Sequence, residues 1–241
     1  NYPFPKQEKL LDVEFGYQYQ GSNWHAGANF YYMGYDNQLV QTGQESEIGE
    51  ALTTNVKDSY RMGVELSAGW APLSWLSFEG NAALSKNKIK DFDEYVEDWG
   101  SNTGTRVNHY DNSTLSFSPS AILNGFVDFH YAGFSATWHT NFVSSQYLDN
   151  SENKDRSLPC YSQSDLSLNY TSAVKKALGI KQVTLGLDFN NVFNRHYAPS
   201  GFVWYNAINE EGGYTNDHRL TALSYIPMAG FTCMAHLTLK F

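Results

Sequence analysis

The strongest constraint on this chain is the alternation in its last thirteen residues, Ala229-Gly-Phe-Thr-Cys-Met-Ala-His-Leu-Thr-Leu-Lys-Phe241. Phe231, Cys233, Ala235, Leu237, Leu239 and Phe241 fall on one face of an extended chain. Thr232, Met234, His236, Thr238 and Lys240 fall on the other. Successive side chains of a strand point to opposite faces, so the pattern describes a strand with one apolar side. Strands of soluble proteins usually run about five or six residues. A strand that crosses a bilayer needs about 9–11, apolar towards lipid and polar towards the lumen. The stretch from Phe231 to Phe241 has the second length and predicts a transmembrane β-barrel.

Eight earlier stretches repeat the pattern. In residues 9–20, Leu11, Val13, Phe15, Tyr17 and Tyr19 alternate with polar or small residues. In 24–40, Trp24, Ala26, Ala28, Phe30 and Tyr32 share a face, and in 56–71 Tyr60, Met62, Val64, Leu66, Ala68 and Trp70 do. Residues 75–89, 115–131, 134–148, 160–171 and 182–197 read the same way. The connections between them alternate. Those at 21–23, 72–74, 132–133 and 172–181 are short, and those at 41–55, 90–114, 149–159 and 198–222 are long. Outer-membrane barrels have this rhythm, with short periplasmic turns and longer extracellular loops. Within the connection 172–181, the piece 173–179 has the composition of one helical turn ending at Gly179.

Every backbone N–H and C=O in hydrocarbon must be paired, so a spanning sheet has to close. Nine antiparallel strands close only with one parallel seam. The fold expected is therefore all-β, an antiparallel transmembrane barrel to which residues 1–241 contribute one part. A self-contained ten-stranded barrel is the alternative.

Composition agrees. Aromatic residues make up 16% of the chain, as expected of a barrel with aromatic girdles at both interfaces. Mean hydropathy is -0.47, which suits strands that show lipid only every second residue. No apolar run reaches about 18 residues, so no transmembrane helix is expected. The net charge of -9 and the lack of basic clusters argue against nucleic acid as a partner. Cys160 and Cys233 read as free thiols, without a disulfide or zinc framework. Asn1-Tyr-Pro-Phe-Pro does not read as a signal peptide, so an export signal is expected upstream.

The most specific motif is Leu185-Gly-Leu-Asp-Phe-Asn-Asn-Val-Phe-Asn-Arg-His-Tyr197. It resembles the penultimate-strand signature of TonB-dependent outer-membrane receptors, an alternating strand running into Asn-Val-Phe-Asn-x-x-Tyr. Tyr225-Ile-Pro-Met-Ala-Gly230, leading to a last strand that ends in Phe241, is similar to the family's ending. Tyr60-Arg-Met-Gly-Val-Glu65 is similar to its Gly-x-Glu strand. The resemblance implies the last nine strands of a 22-stranded plugged barrel, with the plug and earlier strands outside this chain. It implies active uptake of a scarce nutrient: a siderophore, haem, cobalamin or another vitamin, or a glycan. The TonB–ExbB–ExbD complex would supply energy through the plug, the barrel would sit in outer-membrane lipid, and the carboxyl terminus would lie in the periplasm. A passive porin and a surface-binding adhesin are the alternatives.

For ligand contact, the long connections offer rigid aromatics of the kind enriched at binding surfaces. Trp99, His109 and Tyr110 stand in one loop, and Phe202, Trp204, Tyr205, Tyr214 and His218 in another. The other reading of these side chains is interfacial or loop–loop packing. His25, His130, His139 and His236 fall on the polar face with Glu14, Glu65, Glu79, Asp128, Asp165 and Asp188, and read as a hydrated wall facing the plug. The run Asp91-Phe-Asp-Glu-Tyr-Val-Glu-Asp-Trp99 is rich in carboxylates, yet lacks the spacing of an EF-hand. No catalytic motif is present: no His-Glu-x-x-His, Gly-x-Ser-x-Gly or phosphate-cradling loop. Neither an enzyme nor a bound cofactor or resident metal is expected.

Overall fold

A computed structural model describes residues 4–45, 50–98, 104–177, 179–208 and 219–241. In chain order the strands are β1 (Lys9–Gln20), β2 (Trp24–Glu45), β3 (Ala51–Leu73), β4 (Leu76–Asp98), β5 (Thr105–Thr114), β6 (Ala121–Tyr131), β7 (Phe134–Val143), β8 (Gln146–Tyr147), β9 (Ser157–Leu158), β10 (Tyr161–Ala177), β11 (Ile180–Asn190), β12 (Ser200–Ile208), β13 (Arg219–Ile226) and β14 (Thr232–Lys240). A 3₁₀ turn at Lys154–Arg156 precedes β9.

Nine of these strands form one hydrogen-bonded wall in the order β1-β2-β3-β4-β6-β7-β10-β11-β14, and every neighbouring pair is antiparallel. The nine alternating stretches of the sequence correspond to these nine strands, except that 182–197 is strand only as far as Asn190. Register keeps like faces together. One apolar row crosses the wall from Trp24 to Trp70, Phe78, Val127, Trp138, Leu166, Phe189 and Cys233, each residue paired with the next. A slip of one residue would send such a row to the polar side, so the alternation fixes the pairing. Leu185, Leu187 and Leu237 on this apolar face are exposed, as a lipid-facing surface requires. The end strands β1 and β14 are exposed along both faces and each has one unpaired edge.

Two features differ from the sequence reading. The piece 173–179 is not helical. β10 continues to Ala177, which pairs with Ile180, and Gly179 takes φ +78° in the tight hairpin between them. Only glycine takes such a conformation without strain, and two-residue hairpins need it. The connections 41–55, 90–114 and 198–222 also carry strand, the last as β12 and the start of β13. β2, β3 and β4 run 22 or 23 residues, about twice what a bilayer requires. Their excess rises beyond the wall at the end that carries the long connections.

At that end the strands build a packed cap. Among the described residues, the buried hydrophobic side chains include Val40, Val56, Ile89, Phe92, Leu115 and Leu158. All belong to the cap. β5 pairs with the upper half of β4, while β6 takes the lower half of the same edge. Residues 115–120 cross between the two levels, with Leu115 in the core and Arg61 Nη1 donating to Ser118 Oγ at 2.9 Å.

Candidate functional site

The cap is held by one buried cation. Arg156 is 0% exposed. Its Nη2 donates to Glu94 Oε1 at 2.8 Å and to Ser151 Oγ, and its Nε lies 2.9 Å from Asp149 Oδ2. A charge taken out of water is tolerated only when paired and hydrogen-bonded, and the loop 149–156 wraps around this guanidinium. Asn150 extends the lock. Its Oδ1 accepts from Ser116 N–H at 2.8 Å and its Nδ2 donates to Gln41 O at 3.2 Å. Glu152 accepts from both Lys88 and Thr114. Burial pushes the Glu152 carboxyl up, but the hydrogen bonds from Lys88 and Thr114 outweigh it and hold the group below its ordinary value. Three hairpins are thereby tied into one body. The sequence reading missed Arg156, Glu94 and Asn150, because a charged loop gives no sign of which charge is buried.

The residues expected to touch ligand divide. His109 and Tyr110 are neighbours on β5 and face opposite ways. His109 is exposed, with Nδ1 2.8 Å from Asp93 Oδ1 and Nε2 3.2 Å from Asp111 Oδ1. The hydrogen bond to Asp93 raises its pKa above the ordinary histidine value. Tyr110 turns under the hairpin, where its ring stacks on Phe92 at 6.2 Å and its hydroxyl donates to Glu94 Oε2 at 2.9 Å. Phe202 is half exposed on β12. Trp204 and Tyr205 lie on β12 beside a register shift between Val203 and Tyr205, and their side chains fall outside the described residues. Trp99, Tyr214 and His218 lie outside the described residues altogether.

The two candidate loops do meet. β12 pairs in parallel with the tip of β4, Ala207 with Glu97 and Ile208 with Asp98. The β12–β13 hairpin, which leaves the wall after β11, reaches the β4–β5 hairpin. The carboxylate run 91–98 is split between faces: Asp91 and Asp93 are exposed, Glu94 and Asp98 buried.

The signature Asn191-Val-Phe-Asn194 is a turn. Asn191 and Asn194 take φ +51° and +49°, a left-handed conformation that asparagine tolerates better than most residues. Asn191 is 2% exposed. Its Nδ2 donates to Arg195 O at 2.9 Å and Ala229 O at 3.1 Å, and its Oδ1 accepts from Arg195 N–H at 2.9 Å. Asn194 Oδ1 accepts from Phe231 N–H at 2.9 Å. The motif thus ends β11 and joins it to the entry of β14, beneath the long excursion between them.

The inner face of the wall is polar and closely fitted. Glycine makes room for histidine at two places. A Cβ on Gly69 would lie 2.1 Å from His25 Nε2, and one on Gly186 would lie 2.0 Å from His236 Cε1. Each imidazole crosses its glycine to a carboxylate, His25 to Glu79 at 3.0 Å and His236 to Asp188 at 3.3 Å. His139 lies 3.6 Å from Asp165 and stacks on Phe126. Nearer the cap, Asn29 Nδ2 lies 3.0 Å from Glu14 Oε2 and 3.5 Å from Glu65 Oε2. These three residues line a cavity of about 340 Å³ with Tyr31, Arg61 and Ser118.

An antiparallel wall with an apolar outer face, a polar inner face, tight turns at one end and a folded cap at the other is the wall of an outer-membrane β-barrel. Residues 2–192 match the family model described as TonB dependent receptor-like, beta-barrel. The chain belongs to this family of outer-membrane receptors, which are not enzymes. Among solved structures it is similar to the copper transporter OprC, with a TM-score of 0.66 at 19% identity over 99% of this chain and 32% of that one. It is also similar to the ferric-catecholate import receptor Fiu from E. coli K12, at 0.63 and 14% over 98% of this chain and 28% of that one. The ferric yersiniabactin uptake receptor FyuA from Yersinia pestis gives 0.64 and 17% over 97% and 30%. At these identities the likeness is one of fold. The chain spans about a third of the length of these structures. No curated protein matches it.

Proposed function

We propose that this chain is the C-terminal part of the barrel of a TonB-dependent transporter, which takes up a scarce nutrient across the outer membrane. The observation that carries the reading is the family's barrel wall, with its polar, carboxylate-bearing inner face. The rest of the protein supplies the earlier strands, which pair with the open edges of β1 and β14, and a plug that fills the lumen. The turns between β1 and β2, β3 and β4, β6 and β7, and β10 and β11 face the periplasm, and Phe241 ends there. The cap faces outside.

In this reading the nutrient, a siderophore, haem, cobalamin or another vitamin, or a glycan, is captured from outside and admitted when TonB–ExbB–ExbD rearranges the plug. Neighbours described as copper, ferric-catecholate and ferric yersiniabactin proteins favour a metal or metal chelate as cargo. The ligand-facing residues proposed are Trp99, His109, Phe202, Trp204, Tyr205, Tyr214 and His218, with Tyr110 supporting the hairpin from beneath. Glu14 and Glu65, which share the single amide of Asn29, offer negative charge to basic groups of the plug.

Growth tests the reading. A deletion strain is expected to fail on one limiting nutrient and to recover with the full-length gene, but not when TonB is absent. Recovery without TonB would indicate a passive pore. Surface binding without any growth phenotype would indicate an adhesin.

A further inference from the structure

The β4–β5 hairpin has two unlike faces. Phe92, Glu94 and Tyr110 turn into the cap, where Phe92 and Glu94 are buried. Asp91, Asp93, His109 and Asp111 stand on the opposite, exposed face. Asp93 pairs with His109, and because Lys90 pairs with Asn112 and Phe92 with Tyr110, Asp91 and Asp111 lie opposite each other. Ligand atoms of Asp91, His109 and Asp111 all lie within 4.8 Å of one another.

Three carboxylates thus share one imidazole. Like charges directly opposite destabilise a strand pair. Among the described residues, Asp91, Asp93 and Asp111 have no Lys or Arg ion-pair partner. The ring is also held in a useful orientation. With Nδ1 bonded to the Asp93 carboxylate at 2.8 Å, Nε2 is turned towards Asp111. A metal-bound histidine ordinarily has such a carboxylate behind its second nitrogen. The donors sit on a paired ladder whose other face is packed, so they are positioned by rigid elements.

We propose that this face binds one divalent transition-metal ion, with His109 Nε2 and the carboxylates of Asp91 and Asp111 as ligands and Asp93 as the positioning residue. Imidazole with carboxylate is a donor set for Zn²⁺ or Cu²⁺, whereas Ca²⁺ takes about six to eight oxygens. Binding requires neutral imidazole, so a proton on His109 leaves to solvent as the metal enters. The site does not depend on what is transported, because it is read on purified protein without uptake.

The test is a Cu²⁺ titration of the metal-free, full-length receptor in detergent, followed by electron paramagnetic resonance, with Zn²⁺ competition. One saturable site with a single-nitrogen signature is expected, displaced by Zn²⁺ and not by an equal concentration of Ca²⁺. His109→Ala abolishes that signature. Asp93→Asn leaves it in place but weakens binding about 10–100-fold. All four side chains are exposed, so these variants fold as the parent does, and an unchanged circular dichroism spectrum verifies it. Binding indifferent to His109→Ala and to Asp91→Asn with Asp111→Asn would overturn the site. Displacement by equimolar Ca²⁺ would overturn the assignment to transition metals.

Discussion

β2, β3 and β4 each pass through two regions of the molecule that obey different rules. In the wall their apolar residues are exposed: Phe30, Leu66, Trp70 and Leu84 point outward. In the cap, on the same strands, Val40, Val56, Ile89 and Phe92 are buried. The wall is inside out because its solvent on that side is lipid; backbone ladders and register hold it, and among the described residues the buried apolar cluster of Val40, Val56, Ile89, Phe92 and Leu115 lies in the cap. The cap buries its own apolar surface, as structures in water must. A strand can serve both if its buried side changes where it leaves the bilayer.

Within the cap portion of β4 the buried positions also change parity. Asn87 and Ile89 are buried at odd positions, Phe92, Glu94, Val96 and Asp98 at even ones. Asp91, φ +54°, stands at the switch. Asn37, φ +60°, occupies a similar place in β2. Both are residue types that tolerate the left-handed region. In each case a short polar residue stands where the exposed and buried positions change parity.

The largest effect expected is confined to the cap. Arg156→Ala removes the buried cation that pairs with Glu94 and Asp149 and should cost about 3–5 kcal/mol locally. Hydrogen exchange should then rise through residues 146–158 and 88–98 and stay unchanged in β10 and β11. Equal loss of protection in the wall would mean that the two regions are one cooperative unit.

The reciprocal change is Leu187→Arg on the lipid face, expected to cost about 2–4 kcal/mol if the residue lies near the bilayer midplane. Refolding into lipid vesicles, followed by urea titration, measures it. The same substitution at Asn169 on the inner face should cost much less, and equal costs would remove the distinction between faces.

Next comes the joint between β11 and β14. Asn191→Ala removes a buried amide and leaves its partners unsatisfied, at about 1–3 kcal/mol. Exchange at Ala229–Phe231 should report the loss. No change there would show that β14 docks without the motif.

The smallest effect is acid sensitivity. The Glu152 carboxyl titrates below its ordinary value. Its contribution is therefore full above the unfolded-state pKa and is lost as pH falls through the lower folded value. The cap should loosen before the wall as pH falls below the ordinary glutamate range, and Glu152→Gln should remove that difference in cap exchange. Cap loosening that survives Glu152→Gln would assign it to another carboxylate.

The sequence reading recovered the wall and lost the cap, for one physical reason. Where lipid covers one face, alternation is imposed on about ten consecutive residues and reads clearly, as from Leu11 to Tyr19 or Phe231 to Phe241. Above the bilayer the faces are covered by different loops at different heights. Lys90-Asp-Phe-Asp-Glu94 then reads as a charged loop although it is strand. The signature motif was legible as a resemblance, while its work as a turn joining β11 to β14 depends on hydrogen bonds to residues more than 30 positions away. Of the aromatic ligand candidates, the pairing of β12 with β4 brings the two loops together, which no local pattern announces. His109 and Tyr110 are adjacent in sequence and separate by the period-two rule that governs the wall.

The central claim is that wall residues take turns facing lipid and water. Nitroxide scanning of residues 183–189 in the full-length receptor in bilayers, with Cys160 and Cys233 replaced, tests it most directly. Oxygen accessibility should peak at positions 183, 185, 187 and 189, and a water-soluble nickel chelate should collide preferentially at 184, 186 and 188. Accessibility without this two-residue period, or Leu185 and Leu187 shielded from both reagents, would contradict the account.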